Sequence, residues 1–152
     1  MSKTVTNGSL GNWNANIFHV NRRKWIFMIN ERSCYSIIIP DFRKSDLKKF
    51  NEIFTNRLMQ QLCYDGVKMN RDAVQKIRDE QFSFTNTNNN RPIIGTMTQF
   101  IKDLNYFIFY HPQQMSLPEL NNKLTNNWVT ALAKNKQGMH NPVELITRQL
   151  TE

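Results

Sequence analysis

Residues 13–40 read WNANIFHVNRRKWIFMINERSCYSIIIP, and this stretch decides the fold. It contains three runs of β-branched and aromatic residues, separated by short polar breaks at 21–23 and 30–33. Breaks of this length join antiparallel strands as hairpins. Pro40 ends the last run, because proline cannot donate a hydrogen bond to a neighbouring strand. The stretch therefore predicts an antiparallel meander of three to four strands.

Helical patterns follow the meander. Phe50, Phe54 and Leu58 recur at helical spacing, and Ser45 is the expected N-cap of that helix. Capping residue types indicate three further helix starts, at Asn70, Thr96 and Ser116.

The rest of the chain adds a short strand near 82–85 and a last short element from Pro142. We expect an α+β fold, with four or more helices packed on one face of the small meander. The helix after Thr96 carries apolar residues nearly all round, so we expect it at the centre of the core.

Size and composition indicate a folded protein. The chain has 152 residues, of which 39% are hydrophobic, enough for a core, so we expect a single domain over 1–152 with 1–12 frayed or extended. There is no secretory signal and no apolar run near the ~18 residues that span a bilayer, so we expect a cytoplasmic protein without membrane contact. Cys34 and Cys63 are isolated and are expected to be reduced and buried.

The chain is strongly basic, with a formal net charge of +8 and an isoelectric point of about 9.7. Such a charge attracts nucleic acid, nucleotides or acidic proteins. Asn, Lys and Ile are also frequent, which is typical of AT-rich coding. The positive charge therefore has two explanations at this point, a functional anionic partner or genomic composition.

Several motifs together resemble a known family. They are Trp13-x-Ala15-Asn16, Arg22-Arg23-Lys24, Asn30-Glu31-Arg32, Thr85-Asn86 with Arg91-x-x-x-Gly95-Thr96-Met97, Glu119-Leu120-Asn121 and Pro142-Val143-Glu144. This pattern is similar to that of a small bacterial or mobile-element domain family of unknown function. The resemblance covers nearly the whole chain and implies one compact α+β domain, and it implies no activity.

The strongest candidate for an anion site is the segment with Arg91, Gly95 and Thr96. Glycine allows close approach to the backbone, and a helix that starts at Thr96 would present free N–H groups and a partial positive charge to a phosphate. Arg91 would hold the same anion as a fork. The alternative is that Thr96 only caps its own helix while Arg91 pairs with a carboxylate.

Two further groups are candidates. Arg22, Arg23 and Lys24 lie at a predicted turn, where they are either solvated or in contact with phosphate, and Arg32 lies at the next turn. Successive turns of a meander lie at opposite ends of a sheet, which argues against all four meeting. Trp13 is expected either to stack on a base or to pack in the core, and Asn16 either to contact a base edge or to fix a loop.

The sequence contains no recognisable catalytic or metal motif. The three histidines lack ligand spacing, and no cofactor signature is present. The pattern favours a binding protein over an enzyme, although it does not exclude catalysis.

We therefore expect a binding protein for an anionic, phosphate-bearing ligand, with a nucleotide or a nucleotide-derived signal as first choice. In a phage or mobile element such a protein could sequester that signal, and a homodimer would suit its small size. The first alternative is a nucleic-acid-binding protein, which requires a continuous basic stripe. The second is a protein-interaction module or inhibitor with an acidic partner.

Overall fold

The computed structural model describes residues 3–6, 10–79, 83–86, 89–110, 115–126 and 141–151. Five strands in these residues form one sheet in the order β4-β3-β2-β1-β5, with every neighbouring pair antiparallel. They are β1 Lys3–Thr6, β2 Trp13–Val20, β3 Arg23–Asn30, β4 Ser36–Ile39 and β5 Ser83–Asn86. The predicted meander is confirmed over β2 to β4, and β1 and β5 extend it.

Five α-helices accompany the sheet in the described part of the chain. They are α1 Phe50–Tyr64, α2 Arg71–Arg78, α3 Arg91–Tyr110, α4 Leu117–Thr125 and α5 Pro142–Thr151. The α+β class is confirmed, as are the caps at Asn70 and Ser116, whose side chains accept from Ala73 and Glu119 N–H. Ser45 is not a cap, because it lies inside a 3-10 segment, Lys44–Lys49, that precedes α1.

The helices cover both faces of the sheet, so the expectation of one covered face was wrong. Strand β3 shows why: Ile26 and Met28 pack in one cluster with α1, α2 and α5. Phe27 and Ile29 point the other way and pack with α3 and α4. A continuous apolar run is typical of a strand buried on both sides, and residues 25–29 are such a run.

The two hairpin turns differ in how they are held. At the β2–β3 turn, Asn21 and Arg22 have φ angles of 50° and 67°, as a two-residue type I′ turn requires. At the β3–β4 turn, the buried Asn30 side chain accepts a hydrogen bond from Ser33 N–H (3.1 Å) and donates one to Leu10 C=O (2.9 Å). Strand β2 has eight residues, so these turns lie about 23 Å apart, at opposite ends of the sheet.

The outer edge of β4 is covered by side chains from two helices. Asn121 of α4 donates to Ser36 C=O (2.8 Å) and accepts from Ile38 N–H (2.9 Å), as the backbone of a further strand would. Arg57 of α1 donates to Ile38 C=O (2.9 Å) and to the Asn121 side-chain oxygen (3.1 Å). We call these contacts the edge clamp; they satisfy the buried backbone groups at the end of the sheet.

The two cysteines differ, which corrects the expectation that both are buried. Cys34 is buried, and this burial raises the pKa of its thiol to about 12, while Cys63 is exposed.

We expect Asn121→Ala to lower the free energy of unfolding by about 2–4 kcal/mol, because it leaves Ser36 C=O and Ile38 N–H buried without a partner. Asn56→Ala, at an exposed position of α1, should change it by no more than about 0.5 kcal/mol. Urea unfolding followed by circular dichroism measures both. Equal stability of the two variants would contradict a stabilising role for the edge clamp.

We also expect a thiol reagent at pH 8 to modify one cysteine of the native protein rapidly. The thiolate is the reactive form, and a pKa of about 12 leaves roughly one Cys34 in 10,000 ionised. Cys63→Ser should remove the fast phase, and Cys34→Ser should keep it. Two fast thiols in the native protein would show that Cys34 is accessible.

Candidate functional site

A groove of about 710 Å³ lies between the end of β2 and the second half of α3. Its volume is in the range of small-molecule sites, about 300–1,000 Å³. Among the described residues, none that lines it is acidic. The lining residues are His19, Val20, Asn21, Lys102, Asn105, Tyr106, Ile108, Phe109 and Tyr110.

The α3 side of this groove exposes three aromatic rings. Tyr106, Phe109 and Tyr110 are 55%, 76% and 60% exposed, and the Tyr110 ring centre lies 4.6 Å from that of Tyr106 and 4.9 Å from that of Phe109. We call these three residues the aromatic patch. Phe100 of the same helix is buried in the core, so only part of the aromatic residues of α3 are core residues. Adjacent exposed rings are typical of ligand-binding grooves and protein interaction sites.

The position of the aromatic patch follows from the helical period. Met97, Phe100 and Leu104 recur on the face of α3 that is buried against the sheet. Lys102 and Tyr106 lie about 180° around the helix from that face, one turn apart, and are therefore neighbours in solvent. The apolar residues nearly all round α3 predicted a core helix and did not by themselves distinguish this exposed stripe from the buried one.

A cavity of about 230 Å³ adjoins the groove. It shares Val20, Asn21 and Ile108 with the groove and is otherwise apolar, lined by Trp25, Phe107, Met115, Leu117 and Leu120. The groove therefore offers a charged and aromatic mouth beside an apolar interior, an arrangement that suits a ligand with both a charge and a ring system.

The predicted cations Arg22, Arg23 and Lys24 lie next to the groove. All three are exposed, and Arg22 directly follows Asn21 of the groove wall. Arg23 pairs with Asp41 (3.2 Å), an exposed contact that contributes little to stability. Among the described residues, no carboxylate is within 4.0 Å of the charged groups of Arg22 or Lys24. These charges add to the positive field around the groove.

Trp13 and Arg32 lie at the other end of the sheet. Trp13 is fully buried, with its ring edge-to-face against Phe54 (5.0 Å between centres), so it packs in the core and is not available for stacking. The Arg32 side chain lies against Gly11, where a Cβ atom would come within 2.7 Å of the Arg32 Nε atom. The structure therefore separates Arg32 from the Arg22–Lys24 turn, as the meander geometry predicted.

Asn14 and Asn16 lie on the face of β2 that also carries Phe18, because side chains alternate along a strand. The Asn14 side chain is fully buried and donates to Glu31 Oε1 (2.7 Å), so Asn14 fixes the neighbouring turn. Asn16 is half-buried opposite Phe27 in the middle of the sheet.

The helix start expected at Thr96 was wrong, because α3 begins five residues earlier, at Arg91. Asn90 precedes it and accepts from Ile93 N–H through its side chain (3.5 Å) and from Ile94 N–H through its carbonyl (2.9 Å). Pro92 favours the first turn of a helix, where its missing N–H costs nothing.

The anion site predicted at Arg91, Gly95 and Thr96 required a helix start at Thr96, which the structure does not have. Gly95 and Thr96 lie within the helix, where their N–H groups bond to the preceding turn, and the Thr96 hydroxyl donates to Pro92 C=O (2.9 Å). Arg91 is exposed, but it lies eleven residues, about 16 Å of helix, before Lys102 of the groove. Arg91 and the Arg22–Lys24 turn therefore do not converge. A binding role for Arg91, Gly95 and Thr96 stays a prediction.

Other surfaces in the described part of the chain offer less. A groove of about 460 Å³ between α2 and α5 has mixed charges, with Asp72 and Asp79 beside Lys76, and no aromatic lining. Within the described ranges, no three His, Cys, Asp or Glu side chains are grouped so that they could hold a metal ion. None of the helices described is both long and apolar enough to cross a bilayer.

The fold and the groove define a class: a small α+β protein with helices on both faces of a five-stranded sheet and a basic, aromatic groove at one end. The chain belongs to the family described as domain of unknown function (DUF6933), which matches residues 2–145. This agrees with the resemblance to a family of unknown function. No curated protein and no solved structure shows significant similarity to the chain.

We expect Asn90→Ala to lower the free energy of unfolding by about 1 kcal/mol, as loss of an N-cap does. Thr96→Ala should be neutral or slightly stabilising, because alanine is the better residue inside a helix. Thermal unfolding of the two variants beside the parent chain measures this. The opposite order of stabilities would restore Thr96 as the helix start.

Proposed function

We propose that this protein binds an anionic, phosphate-bearing ligand in the groove between β2 and α3, and that the ligand is a nucleotide or a nucleotide-derived signal. One observation carries the proposal: exposed lysine and aromatic side chains share a single groove of about 710 Å³, and no carboxylate of the described residues lines it. A nucleotide has a charged phosphate and a flat ring system, and the groove offers a partner for each.

Lys102 and Tyr106 are assigned the two main roles. Lys102 is an exposed ammonium group one helical turn from Tyr106, so it would hold phosphate while the base stacks on the aromatic patch. Arg22, Arg23 and Lys24 would supply the surrounding field. The stacking role proposed for Trp13 from the sequence passes to Tyr106, Phe109 and Tyr110, because these rings are exposed.

Binding without catalysis is favoured by the lining residues. Phosphoryl transfer or hydrolysis requires positioned acids, bases or metal ligands. The described lining of the groove contains His19 but no carboxylate, thiol or serine that could work with it. The cytoplasmic location, the homodimer and a sequestering role in a phage or mobile element belong to this proposal as well.

Isothermal titration calorimetry with a panel of mono-, cyclic and dinucleotides tests the proposal, and native mass spectrometry gives the oligomeric state. We expect a dissociation constant in the micromolar range or below, weakened about tenfold or more by Tyr106→Ala, since stacking on one base contributes about 1–3 kcal/mol. Lys102→Ala should weaken it similarly through loss of a charge-assisted contact.

Lys68→Ala is the matched control, because Lys68 is an exposed lysine outside the lining of the groove, and it should bind like the parent chain. Arg91→Ala separates the two candidate sites. Loss of binding in Arg91→Ala but not in Lys102→Ala would move the site to the start of α3. Absence of binding to every nucleotide at micromolar concentration would exclude the proposed function.

A further inference from the structure

Most of the net charge of the chain lies at one end of the molecule, beside the groove. Residues 22–24 and 41–49 carry seven lysines and arginines against two aspartates, a net charge of +5 out of the formal +8. All seven cations are exposed. We call them the basic end; they are Arg22, Arg23, Lys24, Arg43, Lys44, Lys48 and Lys49.

The two segments of the basic end are in direct contact. Phe42 N–H donates to Lys24 C=O (2.7 Å), which holds residues 41–43 beside the start of β3. Asp41 lies between Arg23 (3.2 Å) and Arg43 (3.7 Å), so these two guanidinium groups share one carboxylate. The 3-10 segment Lys44–Lys49 continues directly from Arg43.

The groove and the basic end adjoin at Asn21 and Arg22, and the contact between Phe42 and Lys24 brings Arg43 next to this turn. From Arg43 the 3-10 segment, about 10 Å long, leads into α1, which packs on the face of the sheet opposite to α3. The cations of the basic end therefore extend over a greater length than the phosphate of one mononucleotide can contact.

We infer that the groove binds one nucleotide of a single-stranded nucleic acid, whose following phosphates lie along the basic end. This rests on the proposed function, because it needs a base on the aromatic patch. A single strand is required because ring faces that stack on protein must be free of base pairing and neighbour stacking, as in other aromatic platforms with basic grooves. RNA and DNA share the chemistry that these residues recognise, so both are tested.

Fluorescence anisotropy competition measures this, with a labelled eight-residue oligothymidine displaced by unlabelled thymidine 5′-monophosphate, by the di- and tetranucleotide and by oligouridine. We expect the octamer to bind about tenfold or more tightly than the mononucleotide. The logarithm of its affinity should fall with the logarithm of salt concentration, with a slope of about −0.7 for each phosphate contacted. Stronger binding of oligouridine or of oligothymidine supports the inference and names the nucleic acid.

The double variant Lys44→Ala with Lys48→Ala should lower the affinity for the octamer about tenfold. Since two phosphate contacts are lost, the slope of log affinity against log salt concentration should become less negative by about 1.4. It should leave the mononucleotide unchanged. Lys68→Ala with Arg78→Ala is the control, because it removes two exposed cations outside the basic end. Tyr106→Ala should lower the affinity for both the mononucleotide and the octamer.

The outcomes separate the inference from the proposed function. Equal affinity for mononucleotide and octamer would overturn the inference and leave nucleotide binding intact. Loss of mononucleotide and octamer binding alike in Lys44→Ala with Lys48→Ala would also overturn the inference, because those lysines would then belong to the groove itself. No binding to either ligand would remove both proposals.

Discussion

The edge clamp is the interaction on which the arrangement of the helices depends. Arg57 and Asn121 bond the outer edge of β4 from opposite faces of the sheet, because α1 belongs to the cluster on one face and α4 to the cluster on the other. Burial lowers the pKa of Arg57, and the nearby Tyr35 and Asp65 oppose this. A buried cation is tolerated only when hydrogen bonds replace its water, and the clamp provides them.

Asp65 completes this network from the end of α1. It accepts hydrogen bonds from the Tyr35 hydroxyl and from the side chains of Gln61, Asn122 and Thr125. Burial, followed by the charge of Asp65 and the hydrogen bond to it, raises the pKa of Tyr35, so the phenol stays protonated and donates. The helices α1 and α4, on opposite faces of the sheet, are thus tied to one edge, and α3 packs beside α4 in the second cluster. The other wall of the groove is the type I′ turn, whose position is determined by the pairing of β2 with β3.

The sequence was sufficient for the elements that local patterns define. The runs of residues 13–39 predicted β2 to β4, the spacing of Phe50 to Leu62 predicted α1, and Asn70 and Ser116 predicted two caps. It was not sufficient where tertiary contacts decide. The pairing of β1 with β5 joins residues about 80 positions apart. Helix α3 begins after Asn90, with Pro92 in its first turn, and not at Thr96. Both positions carry residues that favour a helix start, and local sequence alone does not decide between them.

The placement of the site was harder to predict than its chemistry. The sequence proposed cations and an aromatic ring as ligand-binding groups. Three of those cations border the groove, whereas Trp13 packs in the core, the other alternative for it, and Arg91 lies at the start of α3, away from the groove. AT-rich coding can explain a high number of lysines, but it does not explain why they lie close together in the fold. The proposed anion binding would give a function to this net charge of +5 within 12 residues, which lies next to three exposed aromatic rings.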